Sequence, residues 1–297
     1  MSPGLSPISA LPFGEGGVGP DLGEQAIASL EGQPNFAAAT LAAATAIVDI
    51  YQGNWWLNRL VNDRGRFILG LIIVDLHFDA ADGPGFTPAR LQEVAGATGV
   101  CSPGRITAFL ASLRLLGFLR PVTSEDRRLR RLIPTERFLA AHRERWRRLL
   151  AALAMIDPEA DAALAALSDP AFMGGFAHTL VGAYRSGRRV SQFVPELLAI
   201  LERDAGLTML LSLLIADAAG QPVSITALAR RFAVSRAHVL TVLREAEQAG
   251  LAIVAGSRGG YRASPELARI LRRLFAVMFL LHLHAIQNGR RAAGLVE

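Results

Sequence analysis

The segment GFLRPVTSEDRRLRRLIPTERF, residues 117–138, combines the signals of a β-hairpin with those of a helix that follows it. The pattern predicts one strand over 118–122 and a second over 129–133, on either side of a polar turn rich in arginine. A helix start follows at Thr135, and an amphipathic helix begins upstream at Ser102. The predicted order is therefore helix, hairpin with arginines at its tip, and helix.

The same pattern occurs twice along the chain. Copy 1 (residues 86–136) and copy 2 (residues 223–266) each contain two short amphipathic helices, a hairpin and the start of a further helix. When the copies are aligned on the glycine that ends the second helix, the following positions match: Ser102 with Ser235, Ile106 with Val239, Leu110 with Leu243, and Gly117 with Gly250. Self-similarity at a period of about 130 to 140 residues predicts two domains of one kind.

Two helices followed by a hairpin are typical of a winged helix, a module that places its second helix in a DNA groove and its hairpin, the wing, beside it. Composition agrees with a mostly α protein, since 51% of the 297 residues are hydrophobic and only 7% are aromatic. We therefore predict a mostly α fold with two winged helix-turn-helix domains and small β-hairpin wings, joined by helical connectors. A single-chain pseudo-dimer is the arrangement that the duplication suggests.

The amino-acid sequence of the first predicted wing resembles that of the MarR family of bacterial transcription regulators. The resemblance covers roughly residues 60–150, and it is carried by Asp126-Arg127-Arg128 followed by Leu-Ile-Pro-Thr-Glu at 132–136. It implies a DNA-binding regulator that forms two-fold dimers, with a wing arginine in the minor groove and an aspartate that steadies the wing. Those roles would fall on Arg127 or Arg128 and on Asp126. Copy 2 has no Asp-Arg-Arg, so the resemblance implies only the fold there.

Basic charge is concentrated around the first wing. All 31 basic residues are arginine, and the formal net charge is +5. Ten of these arginines lie between residues 120 and 148. Arginine makes forked contacts to phosphates and to guanine edges, so this distribution favours a nucleic-acid partner.

The domain boundaries follow from composition and from the repeat. We predict a disordered leader over 1–34, rich in Gly, Pro and Ser. A first winged-helix domain with N-terminal helices would cover 35–150, followed by a helical connector over 151–190. The second winged-helix domain would cover 191–297 and end in an apolar packing helix.

The predicted DNA-binding residues lie on the second helix and the wing of each copy. In copy 1 they are Ser102, Arg105, Thr107, Asp126, Arg127, Arg128, Arg130 and Arg131. In copy 2 they are Ser235, Arg236, His238, Thr241, Arg244, Arg258 and Arg262. The second helix of copy 1 carries small residues where copy 2 carries polar ones, so we expect copy 1 to bind mainly through its wing.

Other functions have little support in the sequence. No phosphate-binding loop, zinc-ligand set or nucleophile elbow is present, so we predict no enzyme, no metal and no cofactor. The one cysteine, Cys101, and the lack of an apolar run of about 18 residues indicate a cytoplasmic protein without a membrane partner. Trp55, Trp56, His77 and Phe78 could line a pocket for a small-molecule effector of unknown identity or, alternatively, contribute to the core.

The leading interpretation is a sequence-specific regulator of transcription that binds double-stranded DNA, with a homodimer as a further possibility. Two alternatives remain open at this point. One is a plasmid-type replication initiator, which also joins two winged helices. The other is a winged-helix scaffold for protein interactions, which the featureless helix of copy 1 favours.

Overall fold

The structure is a computed structural model that describes residues 19–52, 60, 63–79, 85–122, 131–255 and 260–295. Within these ranges the chain is mostly helical and forms two antiparallel two-stranded sheets. The elements up to the first sheet are α1 (Glu24–Glu31), α2 (Phe36–Tyr51), α3 (Arg64–Phe78), α4 (Pro88–Thr98), α5 (Pro103–Leu115), β1 (Leu119–Pro121) and β2 (Leu132–Pro134). The helices between the sheets are α6 (Glu136–Leu153), α7 (Pro158–Ala166), α8 (Pro170–Arg185), α9 (Leu198–Leu201), α10 (Gly206–Ala218), α11 (Ile225–Phe232) and α12 (Arg236–Gln248). The last elements are β3 (Ala252–Ala255), β4 (Gly260–Ala263) and α13 (Pro265–Ala292), and two short 3-10 turns, Val190–Gln192 and Pro195–Leu197, precede α9.

These elements form two compact units that are interleaved in sequence. The copy-1 unit draws its described residues from 64–147, 162–188 and 281–297. The copy-2 unit draws them from 1–63, 148–161 and 189–280. The sequence predicted domains that each cover one continuous segment. Each unit of the structure is instead built from three separate segments of the chain.

Both copies start their helices with the same type of cap. The hydroxyl of Thr87 accepts a hydrogen bond from the backbone N–H three residues later, at 3.1 Å, and that of Ser224 does the same at 3.1 Å. Ser102 and Ser235 cap α5 and α12 in the same way, at 3.4 and 3.0 Å. Each cap occupies one backbone donor that would otherwise lack a partner at a helix start.

The turn that leads from the second helix to the hairpin is also the same in the two copies. Gly117 and Gly250 follow α5 and α12 with φ of 71° and 72°, a left-handed conformation that glycine adopts without steric cost. The next residue then donates its N–H back into the helix at 2.8 Å in both cases. This geometry fixes the direction in which each hairpin begins.

Each hairpin is joined to the segment before the first helix of its copy. Leu132 of β2 exchanges two backbone hydrogen bonds with Phe86, at 2.8 and 2.9 Å. Tyr261 of β4 makes the equivalent pair with Val223, again at 2.8 and 2.9 Å. The order helix, helix, strand, strand, helix therefore comes with the same backbone hydrogen bonds in both units.

Close helix contacts organise the core of the copy-1 unit. A Cβ on Gly174 of α8 would lie 2.9 Å from the Cβ of Phe78 on α3. The two helices are therefore so close at this point that a side chain larger than that of glycine would not fit. Trp146 of α6 packs on Phe176 of α8, with ring centroids 4.9 Å apart. A core this tightly packed holds the ends of α3 and α8 in fixed positions.

The expectation of a disordered leader is wrong for residues 24–31. These residues form α1, with Ala26, Ile27 and Leu30 buried. Two arginines of α13 hold the helix: Arg273 pairs with the Glu24 carboxylate, and Arg272 donates to the Glu31 carbonyl at 3.1 Å. The hydrogen bond from Arg273 also lowers the pKa of Glu24 below its ordinary value. The composition of residues 1–34 therefore did not indicate this short helix, because the arginines that bind it lie about 240 residues later in the sequence.

The last helix, Pro265–Ala292, is the longest helix in the described part of the chain. By length and composition alone, Pro265–Ala292 could cross a membrane, although no single apolar run in the sequence is long enough. Two thirds of its most apolar window (67%) is buried inside the protein, as in the core helix of a soluble protein.

Candidate nucleic-acid interface

Helix α12 in copy 2 has one buried and one exposed face. Its buried stripe is fully enclosed and consists of Val239, Val242, Leu243 and Ala246. The exposed positions of the other face are Arg236, Ala237, Thr241, Arg244, Glu247 and Gln248. Helical periodicity therefore separates a packing stripe from a polar surface, as the sequence predicted.

Two arginines on this surface have no partner in the described part of the chain. Arg236 and Arg244 are exposed, and neither makes a hydrogen bond or ion pair there. Arg203, by contrast, makes a forked pair with Glu245 at 2.6 and 3.1 Å. The Arg236 and Arg244 guanidiniums remain available for an anion from outside the chain.

The other residues predicted for copy 2 are partly engaged. Ser235 is the cap of α12, and the ring of His238 is hydrogen-bonded to the Asp204 carbonyl at 2.8 Å. The Thr241 hydroxyl donates to the Ala237 carbonyl at 3.0 Å, which leaves its lone pairs accessible. Arg262 donates to the Gly220 carbonyl at 2.8 Å and so supports the hairpin. Arg258 lies outside the described residues.

The equivalent face of α5 in copy 1 is mostly apolar. At the positions that correspond to the exposed face of α12 it carries Pro103, Gly104, Ala108, Ala111, Arg114 and Leu115. Leu115 is 87% exposed, although a leucine usually lies inside a protein. Among these residues of α5, Arg114 alone has a side chain that can donate a hydrogen bond to a base edge.

Three of the residues predicted for copy 1 already take part in hydrogen bonds within the unit: Ser102, Thr107 and Arg131. Ser102 is the cap of α5, and the Thr107 hydroxyl donates to the Pro103 carbonyl at 3.0 Å while accepting from Gln92 at 3.4 Å. Arg105 is exposed. Arg131 donates to the Gly85 carbonyl at 3.0 Å, so it fixes the base of the hairpin. The four remaining predictions lie outside the described residues: Asp126, Arg127, Arg128 and Arg130.

Three further arginines, two in the copy-1 unit and one in the copy-2 unit, were not among the residues predicted from the sequence. They are exposed, and no hydrogen bond or ion pair joins them to other described residues: Arg114 on α5, Arg120 on β1 and Arg230 on α11. The helix period places each of the two helical arginines beside, rather than within, the buried stripe. An arginine next to the buried stripe of a helix is the sequence signal that could have identified Arg114 and Arg230 as exposed basic residues.

The arginine run on α6 is mostly engaged within its own unit. Arg143 pairs with Glu136, and Arg147 makes a forked contact with Glu144 at 2.8 Å. The guanidinium of Arg145 lies 4.2 Å from the centroid of the Phe67 ring. This part of the basic cluster therefore stabilises the helix surface.

No family model, curated protein or solved structure matches the chain. The resemblance to MarR regulators therefore depends on the wing motif alone.

Proposed function

We propose that this protein is a cytoplasmic, MarR-like transcription regulator that binds double-stranded DNA through two winged helices. In this proposal α5 and α12 are the recognition helices, and the β1–β2 and β3–β4 hairpins are the bases of the wings. The repeated caps, turns and backbone hydrogen bonds of the two copies support a shared fold.

The observation that carries the proposal is the exposed face of α12. Arg236 and Arg244 are eight residues apart, or about 12 Å along the axis at 1.5 Å per residue. A recognition helix lies in the major groove, so the guanidinium near the start of α12 would reach a phosphate, and the one two turns later would reach a base edge or a second phosphate. Thr241 and Gln248 on the same face supply further hydrogen-bonding groups.

A salt titration of duplex binding tests the proposal. A protein making about six phosphate contacts should give a slope near −5 in a plot of log affinity against log salt concentration. Replacing Arg236 and Arg244 together with Ala should weaken binding about 100-fold at low salt and flatten the slope by about two units. In the first wing, Arg127 and Arg128 replaced together should have a similar effect on the slope.

Arg269→Ala is the matched control for the α12 variants. Arg269 is a surface arginine of the same unit, but it is already paired with Glu266 at 2.6 Å. The control should leave the slope unchanged, although it removes the same type of charge. Equal losses in the control and in the α12 variant would show a general charge effect and would refute a specific interface.

A second candidate function is a protein-interaction scaffold, and the exposed Leu115 on an apolar α5 favours it. A scaffold would bind duplexes weakly at low salt and would lose all binding well below physiological ionic strength. The same titration therefore distinguishes the two functions.

A further inference from the structure

A cavity of about 470 Å³ opens at one end of the copy-1 unit. Its size falls in the range of roughly 300 to 1,000 Å³ typical of small-molecule sites. The end of α3, the first half of α8 and the end of α13 line it, and the side chains that matter for its chemistry are Asp75, Phe78, Asp79 and His178. Two residues of the wall contributed by α8, Gly174 and Gly175, carry no side chain.

Two carboxyl groups, those of Asp75 and Asp79, line the cavity close together. Asp79 donates its backbone N–H to the Asp75 carbonyl at 2.9 Å, so the two carboxylates lie one helical turn apart on the same side of α3. Like charges at this spacing repel each other, and the carboxyl end of a helix also disfavours anions. A cation in the cavity would relieve both effects.

Asp75 has less hydrogen bonding than a buried carboxylate normally receives. It is only 5% exposed, and its one hydrogen-bond partner among the described residues is the Nδ1 of His178, at 3.0 Å. An ionised carboxylate has about four acceptor sites, so most of this group's capacity is unused. The His178 ring is itself largely exposed at the cavity, and its hydrogen bond with Asp75 raises the pKa of His178.

The wall beside the carboxylates is apolar. Phe78 is half-buried and lines the cavity next to Asp79. An aromatic face attracts a cation and also packs against an apolar group. A buried carboxylate, a second carboxylate and an aromatic ring together match a ligand with an ammonium group on an apolar body.

We propose that this cavity binds a small organic amine, with the ammonium group between Asp75 and Asp79 and the apolar part against Phe78. The proposal does not depend on DNA binding, because it is tested by ligand titration of the protein alone. A negative ligand titration would therefore leave the proposed DNA binding unaffected, and a negative DNA-binding result would leave amine binding unaffected.

Titration of isotope-labelled full-length protein, followed by NMR chemical shifts, provides the test. The probes are benzylamine, benzyl alcohol and benzoate, which share a ring and differ in charge. Benzylamine should bind with a dissociation constant of the order of 1 mM and shift the His178 ring signals. Benzyl alcohol and benzoate should bind at least tenfold more weakly.

Two substitutions at exposed positions keep the test independent of folding. Asp79→Asn should weaken benzylamine binding at least fivefold, and Ala171→Trp, which fills the mouth of the cavity, at least tenfold. Glu93→Gln, which removes an exposed carboxylate elsewhere in the same unit, should leave the affinity unchanged. The proposal is overturned if benzylamine does not bind by about 20 mM, if benzyl alcohol binds as well, or if either cavity variant binds normally.

Discussion

Folding strongly changes the ionisation of His142. It is 8% exposed, and its ring lies 4.8 Å from Phe138 and 5.8 Å from Trp146, measured between ring centroids. Its Nδ1 has no hydrogen-bond partner among the described residues. Burial lowers the pKa of His142 from 6.5 to about 3, and the charge of Arg145 adds to the decrease.

This lowered pKa predicts a loss of stability in mild acid. Below pH 6.5 the unfolded chain takes up a proton at this position, whereas the folded protein does not until about pH 3. The free energy of unfolding should therefore fall as the pH falls through this window, by about 2 kcal/mol at pH 5 for this residue. His142→Phe should remove that part of the difference between pH 7 and pH 5, measured by urea unfolding.

His178→Gln is the control for this prediction, with the opposite sign. Its pKa is raised by Asp75, so its pairing stabilises the folded protein at low pH and is lost as the pH rises through the folded pKa. The Gln variant should therefore be more sensitive to acid than the parent. An unchanged acid sensitivity of His142→Phe would show that the ring is hydrated in solution.

Gly206 has no room for a side chain. A Cβ at this position would lie 1.8 Å from the Ile200 carbonyl oxygen, so the backbone itself would have to move. Gly206→Ala should lower the free energy of unfolding by about 3 kcal/mol or more. Gly104→Ala is the comparison, because a Cβ there meets nothing within 4 Å and the residue lies in a helix. Gly104→Ala should stabilise the protein by up to about 1 kcal/mol. Urea unfolding of both variants gives the comparison.

At the level of helices, the serine caps of α5 and α12 should contribute equally to the free energy of unfolding. Ser102 and Ser235 accept the same hydrogen bond at 3.4 and 3.0 Å, so Ser→Ala at either should cost about 1 kcal/mol. Ser112→Ala should cost less, because that hydroxyl donates to the Ala108 carbonyl within the helix and caps nothing. Denaturant midpoints of the three variants give the comparison. A loss at Ser112 as large as at the caps would contradict the assignment.

The sequence predicted these helix starts because their signals are local. A serine followed by a helical stripe determines both the cap and the buried face, and α5 and α12 follow that rule. Helix α1 was missed because its order comes from Arg272 and Arg273 of α13, which no local pattern near Glu24 reveals. The engagement of Arg131 with the Gly85 carbonyl was missed for the same reason, since it joins positions 46 residues apart.

The cavity shows the same limit of local patterns. His77 and Phe78 were candidates for a pocket from the sequence, and Phe78 does line the cavity. His178 comes from a helix about 100 residues later, and its pairing with Asp75 is a product of the α3–α8 contact. Neither the periodicity of α3 nor that of α8 could indicate that pairing. Trp55 and Trp56 lie outside the described residues.

Across the whole chain, α5 and α12 differ in their exposed faces, and under the proposed function this difference predicts an asymmetric target. In that proposal copy 2 would present Arg236, Thr241 and Arg244 to a groove, whereas the matching face of copy 1 is mostly apolar. Base contacts by forked arginines are worth about 1 to 3 kcal/mol each, but apolar side chains discriminate little beyond thymine methyl groups. Selection from a random duplex library should therefore enrich one conserved half-site rather than a palindrome.

Exchanging a single side chain tests this asymmetry directly. Arg244→Ala should abolish the preference within the selected half-site, with a loss of about tenfold or more in affinity for it. Ala111→Arg places a guanidinium at the matching position of α5 and should add a contact in the other half, which raises affinity and steepens the salt dependence by about one unit. Ala111→Leu, which enlarges the same side chain without adding a charge, should leave the salt dependence unchanged. A palindromic selected site, or an Ala111→Arg variant that binds like the parent, would mean that copy 1 does not lie with α5 against DNA.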